Sequence, residues 1–236
     1  MTQGETVAIV PVRSLAEGKM RLAAGFTLEA REALNRHLLR GVILAALESG
    51  VVDQLVVVSP DAAALDYAIR VSSAIVPLTQ EIIKPGLNPA IEAARAWAMD
   101  RNAATVVTLF GDLPLLTPGE VRNLIRRDAP VVLAPDRHGT GTNALLLRLR
   151  ARTAGTNPLF PFQFGPDSYR RHVEQAHEIG LEVATAVMRG TAFDLDTPDD
   201  WRALLNTSAS SDLELIAAGS SFPQLTQCDD ESLGGG

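Results

Sequence analysis

Residues 54–71 read QLVVVSPDAAALDYAIRV, and the fold class follows from how this stretch divides. Residues 54–59 are apolar at consecutive rather than alternate positions, the pattern of a strand buried on both faces. Asp61 follows Ser59-Pro60 and precedes three alanines, so it reads as the N-cap of a helix over residues 61–71. A doubly covered strand running straight into a helix is the opening of a parallel crossover unit.

The pattern continues on both sides. Upstream, residues 6–12 (TVAIVPV) predict a strand and residues 28–47 a helix. Downstream, strands predicted over 74–77, 104–110 and 130–134 alternate with helices over 89–99 and 118–126. Such alternation predicts an α/β fold with a mostly parallel sheet covered on both faces. The rhythm then breaks at a polar loop over 135–143, a strand-like run over 144–149 and a loop reaching Gly165. A helix over 168–180, a strand over 181–187 and a short helix over 197–205, with Pro198 in its first turn, close the pattern. Residues 1–206 are therefore expected to form one domain. Residues 207–236, rich in Ser, Asp and Gly, are expected to be a flexible or loosely docked tail.

Composition narrows the function classes. A length of 236 residues is about one and a half ordinary domains. The net charge of −7 and pI near 5.1 argue against a nonspecific nucleic-acid binder. The longest apolar run, residues 42–47, is far below the roughly 18 residues that span a bilayer, and no basic segment precedes an apolar one at the N-terminus. Neither a membrane anchor nor a secretory signal is expected. The single cysteine, Cys228, excludes an internal disulfide and a cysteine-built metal site, so the expected compartment is the cytoplasm. Only Lys19 and Lys84 are lysines among 21 basic residues.

In open α/β sheets ligands sit beyond the carboxyl ends of the strands. The residues at those positions are Arg13, Lys19 and Arg21 after the first strand and Ser59 after the second. Lys84, Gly86 and Asn88 precede the third helix, Gly111 and Asp112 follow the fourth strand, and Asp194 and Asp196 follow the last. Cations and carboxylates gathered on one rim predict a nucleoside triphosphate site with Mg2+, one or two ions, because carboxylates repel phosphates unless a metal stands between them. Asp112, Asp194 and Asp196 are the candidate ligands; Lys19, Arg21 and Asp112 are the candidate catalytic groups. The competing readings are that the loop cations are merely solvated and that Asp196 caps the last helix.

Residues 164–168 (FGPDS) open a helix, whose free N–H groups and the Ser168 hydroxyl would suit a second anionic substrate facing Thr140, Thr142 and Asn143. An ordinary N-cap is the alternative. His172 and His177 read as packing or surface groups, and Trp97 and Trp201 as core or interface. Three familiar motifs fail. GTGTNA (139–144) is followed by a strand rather than a helix, so it is no dinucleotide fingerprint. Gly18-Lys19 lacks the earlier glycine and the following Ser or Thr of a phosphate-binding P-loop, and no GxSxG nucleophile elbow exists.

Six segments in order, PVRSLAEGKMRL (11–22), GLN (86–88), GDLPLL (111–116), APDRHGTGTNALLL (134–147), FGPDSYRRH (164–172) and DLDTPDDW (194–201), give a specific likeness over residues 8–204. The chain resembles the CofC family, known in bacteria as FbiD, guanylyltransferases acting on a small phosphorylated acid in coenzyme F-420 biosynthesis. The resemblance implies a Rossmann-like three-layer α/β/α sandwich with a mostly parallel mixed sheet, the nucleotidyltransferase type shared with molybdenum-cofactor guanylyltransferases. It also implies GTP and Mg2+ as requirements, Asp112, Asp194 and Asp196 as metal ligands, and Thr142, Gly165 and Ser168 as contacts to the acid. Asn143 is placed with that acid site, and Arg13, Lys19, Arg21, Ser59, Lys84, Gly86, Asn88 and Gly111 with the nucleotide.

The implied reaction is attack by the acid's phosphate on the α-phosphorus of GTP with loss of pyrophosphate. Phosphoenolpyruvate is the expected acid, with 2-phospho-L-lactate and 3-phosphoglycerate as alternatives. Arg13 stands where the family usually has lysine. The rival readings are a related nucleotidyltransferase with a molybdopterin or sugar phosphate acceptor, and a nucleotide-binding protein without catalysis. No nucleic-acid or membrane partner is expected; a homodimer is compatible with the sequence.

Overall fold

The computed structural model describes residues 4–80, 85–149 and 160–207, together with residues 216 and 218. β1 (Thr6–Pro11), β2 (Gln54–Ser59), β3 (Ile75–Thr79) and β4 (Thr105–Leu109) alternate with α1 (Leu28–Glu48), α2 (Ala62–Val71) and α3 (Leu87–Asp100). Helix α4 (Pro118–Arg126) then leads to β5 (Val131–Pro135), β6 (Thr142–Arg148), α5 (Ser168–Glu178), β7 (Val183–Thr185), α6 (Arg189–Ala192) and α7 (Pro198–Leu205).

The seven strands form one sheet in the order β3-β2-β1-β4-β6-β5-β7. The first four run parallel, as does β7 against β5, whereas β6 is antiparallel to both β4 and β5. The reversal is forced by chain length, since residues 136–141 are too few for a crossover. They form a turn closed by the Asp136 carboxylate, which accepts the N–H groups of His138 (3.1 Å), Thr140 (2.9 Å) and Gly141 (2.9 Å).

Both faces of the sheet are covered, because its strands carry Val, Leu and Ile on consecutive buried positions. Helices α1, α2 and α4 supply one apolar layer, and α3 and α5 with Phe160, Phe162 and Phe164 supply the other. A third cluster joins Leu22, Phe26, Leu34 and Leu38 to Trp201 and Leu204 of α7, with Ile216 beside them. Trp201 is 1% exposed and meets Phe26 edge-on at 5.0 Å. This contact holds the segment that follows β7 against the loop that follows β1.

The strand predicted over 181–187 is shorter than expected. Past Thr185 the chain turns towards α4, where the Gly190 N–H donates to Glu120 Oε1 at 2.7 Å, and a four-residue helix forms in place of further strand. The predicted tail over 207–236 lies outside the described residues except for Thr207, Ile216 and Ala218. Among the described residues no helix is long and apolar enough to cross a membrane.

Candidate active site

The sheet order turns about β1: the chain proceeds to β2 and β3 on one side, then returns to place β4 on the other. A crevice opens at the carboxyl ends of strands at such a switch point. The reversal of β6 adds to it, because the start of that strand, at Thr142, lies on the same rim as the ends of β1 and β4.

The loop after β1 is fastened from α1. Asn35 Nδ2 donates to the Leu15 carbonyl at 2.6 Å and Arg31 Nη1 to the Gly18 carbonyl at 3.2 Å; each side chain belongs to a residue 8% exposed. Gly18 is required here, since a Cβ would stand 2.6 Å from Asn35 Nδ2. Lys19 then takes left-handed backbone angles (φ 58°, ψ 41°), a conformation costing on the order of 1 kcal/mol for a residue with a Cβ. Its ammonium reaches Asp112 Oδ2 at 2.7 Å and Asp196 Oδ1 at 2.8 Å, with the side chain 8% exposed. Burial alone would lower this lysine's pKa, but the two carboxylates together outweigh it and hold the pKa above its ordinary value, so the charge persists.

The two acidic segments are also joined through the backbone, Leu195 N–H to the Asp112 carbonyl at 3.1 Å. Asp196 is not the cap of α7. Thr197 caps it in a reciprocal box with Asp200, because the Asp200 carboxylate also takes the N–H of Thr197 (2.8 Å) and of Asp196 (2.9 Å). Asp196 is thereby free to face Lys19. Burial opposes the charge of Asp200, but these amides and its ion pair with Arg137 hold its pKa below the usual value.

Asp194 completes the group. Burial raises its pKa, the neighbouring charges of Asp112 and Asp196 raise it further, and its own backbone amide and the Asn143 side chain offset part of the effect. Asn143 is 6% exposed; its amide lies beside Asp194 but falls short of a hydrogen bond, and its Nδ2 has no acceptor. The three carboxylates are hard oxygen donors suited to Mg2+. Among the described residues, however, no three acidic, His or Cys side chains stand as a ready-made metal cage, and the cation between Asp112 and Asp196 is Lys19.

The other expected nucleotide residues divide. Arg13 is exposed and lines a cleft of about 540 Å3 with Pro11, Val58, Pro60, Gly86 and Ala90. Arg21 is exposed in a single 3-10 turn, and Gly111 packs beneath the rim near Leu39. Ser59, expected to face the nucleotide, is instead fully buried and its hydroxyl accepts the Asp61 N–H at 3.0 Å, building the turn. Asn88 likewise uses both ends of its amide on the Phe164 backbone, donating to the carbonyl at 3.1 Å and accepting the N–H at 2.8 Å. Lys84 lies outside the described residues.

At the start of α5 the expectation of free N–H groups needs correction. The amide of Ser168 donates to the Gly165 carbonyl (3.1 Å) and that of Tyr169 to the Thr140 carbonyl (3.1 Å). A side-chain cap is absent as well: Asp167 is left-handed and makes no capping bond. The polar contacts come instead from side chains, with His172, expected to be a packing or surface group, at their centre. His172, 0% exposed, accepts the Gln163 N–H at Nε2 (3.0 Å), so its proton resides on Nδ1 and is donated to Thr142 Oγ1 at 3.1 Å. Ser168 Oγ donates to the same oxygen at 3.3 Å. The i, i+4 pairs Arg31 with Asn35 and Ser168 with His172 were the available signal, polar groups on one buried helical stripe.

Burial, reinforced by the Arg171 charge, pushes His172 down to about 4. A neutral histidine whose pKa lies below the unfolded value near 6.5 stabilises the fold fully above pH 6.5, and that contribution is lost as pH falls towards 4. Urea unfolding should show a decline on the order of 3 kcal/mol across this window, and His172→Gln should flatten it. An unchanged slope in the variant would assign the acid lability elsewhere.

The family described as guanylyl transferase CofC like matches residues 6–210. Phosphoenolpyruvate guanylyltransferase of Sphaerobacter thermophilus is 37% identical over 212 residues, covering 88% of this chain and 97% of that protein. The protein of the same name from Rubrobacter xylanophilus is 38% identical over 196 residues, covering 82% of this chain and 90% of its own length. Among solved structures, a nucleotidyl transferase from Methanothermobacter superposes with a TM-score of 0.60 at 15% identity over 86% of this chain and 96% of that one, a likeness of fold alone.

Proposed function

The chain belongs to the CofC-like guanylyl transferase family, and from that premise we propose that it transfers GMP from GTP to the phosphate of phosphoenolpyruvate, releasing pyrophosphate, in coenzyme F-420 biosynthesis. The observation that carries this reading is a buried ammonium shared by Asp112 and Asp196, with Asp194 beside them, at the switch point of the sheet. The mostly apolar cleft lined by Pro11, Pro60 and Ala90 takes the base and ribose, with Arg13, Lys19 and Arg21 towards the triphosphate. Asp112, Asp194 and Asp196 would hold Mg2+, which when bound draws negative charge off the phosphates. Thr142, Asn143, Gly165 and Ser168 face the acid. The reaction is placed in the cytoplasm.

The chemistry asks little of acid–base groups. A phosphate monoester has its second pKa near 6 and is already mostly dianionic at neutral pH, so it attacks without a general base. His172, neutral, buried and bonded at both ring nitrogens, is correspondingly not poised as one. What the reaction demands is two anions aligned and neutralised, and the cations and carboxylates on the rim fit that demand.

Incubation with Mg2+, each of the four nucleoside triphosphates and each of phosphoenolpyruvate, 2-phospho-L-lactate and 3-phosphoglycerate, with products identified by mass, tests the proposal. The expected product is the guanosine diphosphate-linked enolpyruvate acid, formed only with GTP. Turnover confined to a different base, or no pyrophosphate release with any acid, overturns it.

A further inference from the structure

Three arginines with buried nitrogens place at least one of them on an acceptor, although Nε of Arg31 and of Arg127 is buried without one. Arg95 donates to the Phe160 carbonyl and Glu92, Arg148 to Thr105 and to the carbonyls of Ile125 and Arg127, and Arg31 to the Gly18 carbonyl. Arg171 on α5 is different. Its Nε and Nη2 are both buried and neither has an acceptor; among the described residues no other side chain buries two such unpaired donors. A charged donor taken out of water without a partner is unfavourable, and an acceptor that arrives with a ligand would relieve that cost.

The identity of the two atoms specifies the acceptor. Nε and Nη2 share one edge of the planar guanidinium and present two parallel N–H groups, the fork that matches the two oxygens of a carboxylate. That edge lies beside the loop already placed at the acid site. A Cβ on Gly165 would stand 3.3 Å from Arg171 Nη2, and the φ of 126° at this residue also favours glycine, so residue 165 stays bare next to the fork. Ser168 and Thr142 lie at the same end of the helix. The amides of Ser168 and Tyr169 already serve Gly165 and Thr140, whereas this edge of the guanidinium has no acceptor.

We propose that Arg171 binds the carboxylate of the acceptor acid through Nε and Nη2, and so makes a carboxylate a requirement for the acceptor. This rests on the guanylyl-transfer reading in placing the acid at Thr142, Gly165 and Ser168. A phosphate monoester without a carboxylate could still present its phosphate to GTP but would leave the fork unpaired. Lysine at 171 keeps the charge and loses the fork, which separates bidentate recognition from simple attraction.

The test uses the full chain with R171K and R171Q. Steady-state kinetics are measured with GTP and phosphoenolpyruvate, then with methyl phosphate as acceptor, and phosphoenolpyruvate is titrated calorimetrically into each protein. The expected result is a KM for phosphoenolpyruvate raised about 10- to 100-fold in both variants, an unchanged KM for GTP, and loss of the preference over methyl phosphate. If R171Q does not fold by circular dichroism, R171K alone decides. Equal changes in both KM values, unchanged acid affinity in the variants, or no calorimetric binding of the acid by the parent protein overturns the assignment of Arg171. Acid binding that depends on Arg171 without pyrophosphate release would instead overturn guanylyl transfer and leave the carboxylate site standing.

Discussion

Asp112→Ala is expected to reduce pyrophosphate release by about 10^3-fold while the circular dichroism spectrum stays that of the parent. The fold tolerates the change because the bond that ties this segment to the post-β7 segment runs through the Asp112 backbone carbonyl, not its side chain. Lys19 also keeps Asp196 as a partner at 2.8 Å, so no buried charge is stranded. Since the Asp112 side chain is 31% exposed, the stability cost should stay near 1 kcal/mol. Turnover, by contrast, loses the carboxylate at the end of β4, which under the proposed chemistry both fixes the lysine and takes the metal. Near-normal pyrophosphate release in the variant would remove Asp112 from the mechanism.

Lys19→Met should be the second large effect, of opposite electrostatic character. Methionine keeps the apolar stem but removes the ammonium, leaving Asp112, Asp194 and Asp196 close together with no counter-ion among them. Loss of turnover is expected on the order of 10^2- to 10^3-fold, together with about 1–3 kcal/mol of stability, the two aspartates being partly solvated. Asp194, whose pKa burial and then its acidic neighbours already raise, binds its proton more tightly in the folded chain, so this deficit should shrink as pH falls. Millimolar Mg2+ should raise the thermal midpoint of the variant more than that of the parent protein, because no ammonium competes for Asp112 and Asp196. A midpoint indifferent to Mg2+ in both proteins would take the metal away from these three residues.

Much of the architecture is legible in the sequence. The runs at residues 54–59 and 104–110 read as doubly buried strands because their side chains do meet helices on both faces, and Asp61 does accept the Ala63 N–H at 2.9 Å. The direction of β6 was not legible, since periodicity describes which faces are buried and is silent on polarity; only the six-residue turn before it carried that information. The carboxylates were found by asking which acidic residues follow strands, a rule of topology. Ser59 and Asn88 satisfied the same rule and still became scaffold, because a polar group at a strand end or helix start has backbone partners competing for it. Arg31, Asn35, Asp200 and Arg171 escaped notice for the complementary reason, as did the two hydrogen bonds of His172, a residue read from sequence only as a packing or surface group. Each lies within or beyond the first turn of a helix, where sequence spacing records a buried stripe and not the loop atom it will meet.

The hairpin of β5 and β6 has one more consequence. Its turn is closed by the single side chain of Asp136, and it leads directly into Thr142 and Asn143, while the apolar cleft proposed for the nucleotide is lined from β1, β2 and α3. Under the proposed function, the groups that meet the acid and those that meet the nucleotide stand on different elements of one scaffold. If the proposed sites hold, exchanging the acid would take changes both in this hairpin and around Gly165, Ser168 and Arg171, and could leave β1, β2 and α3 untouched.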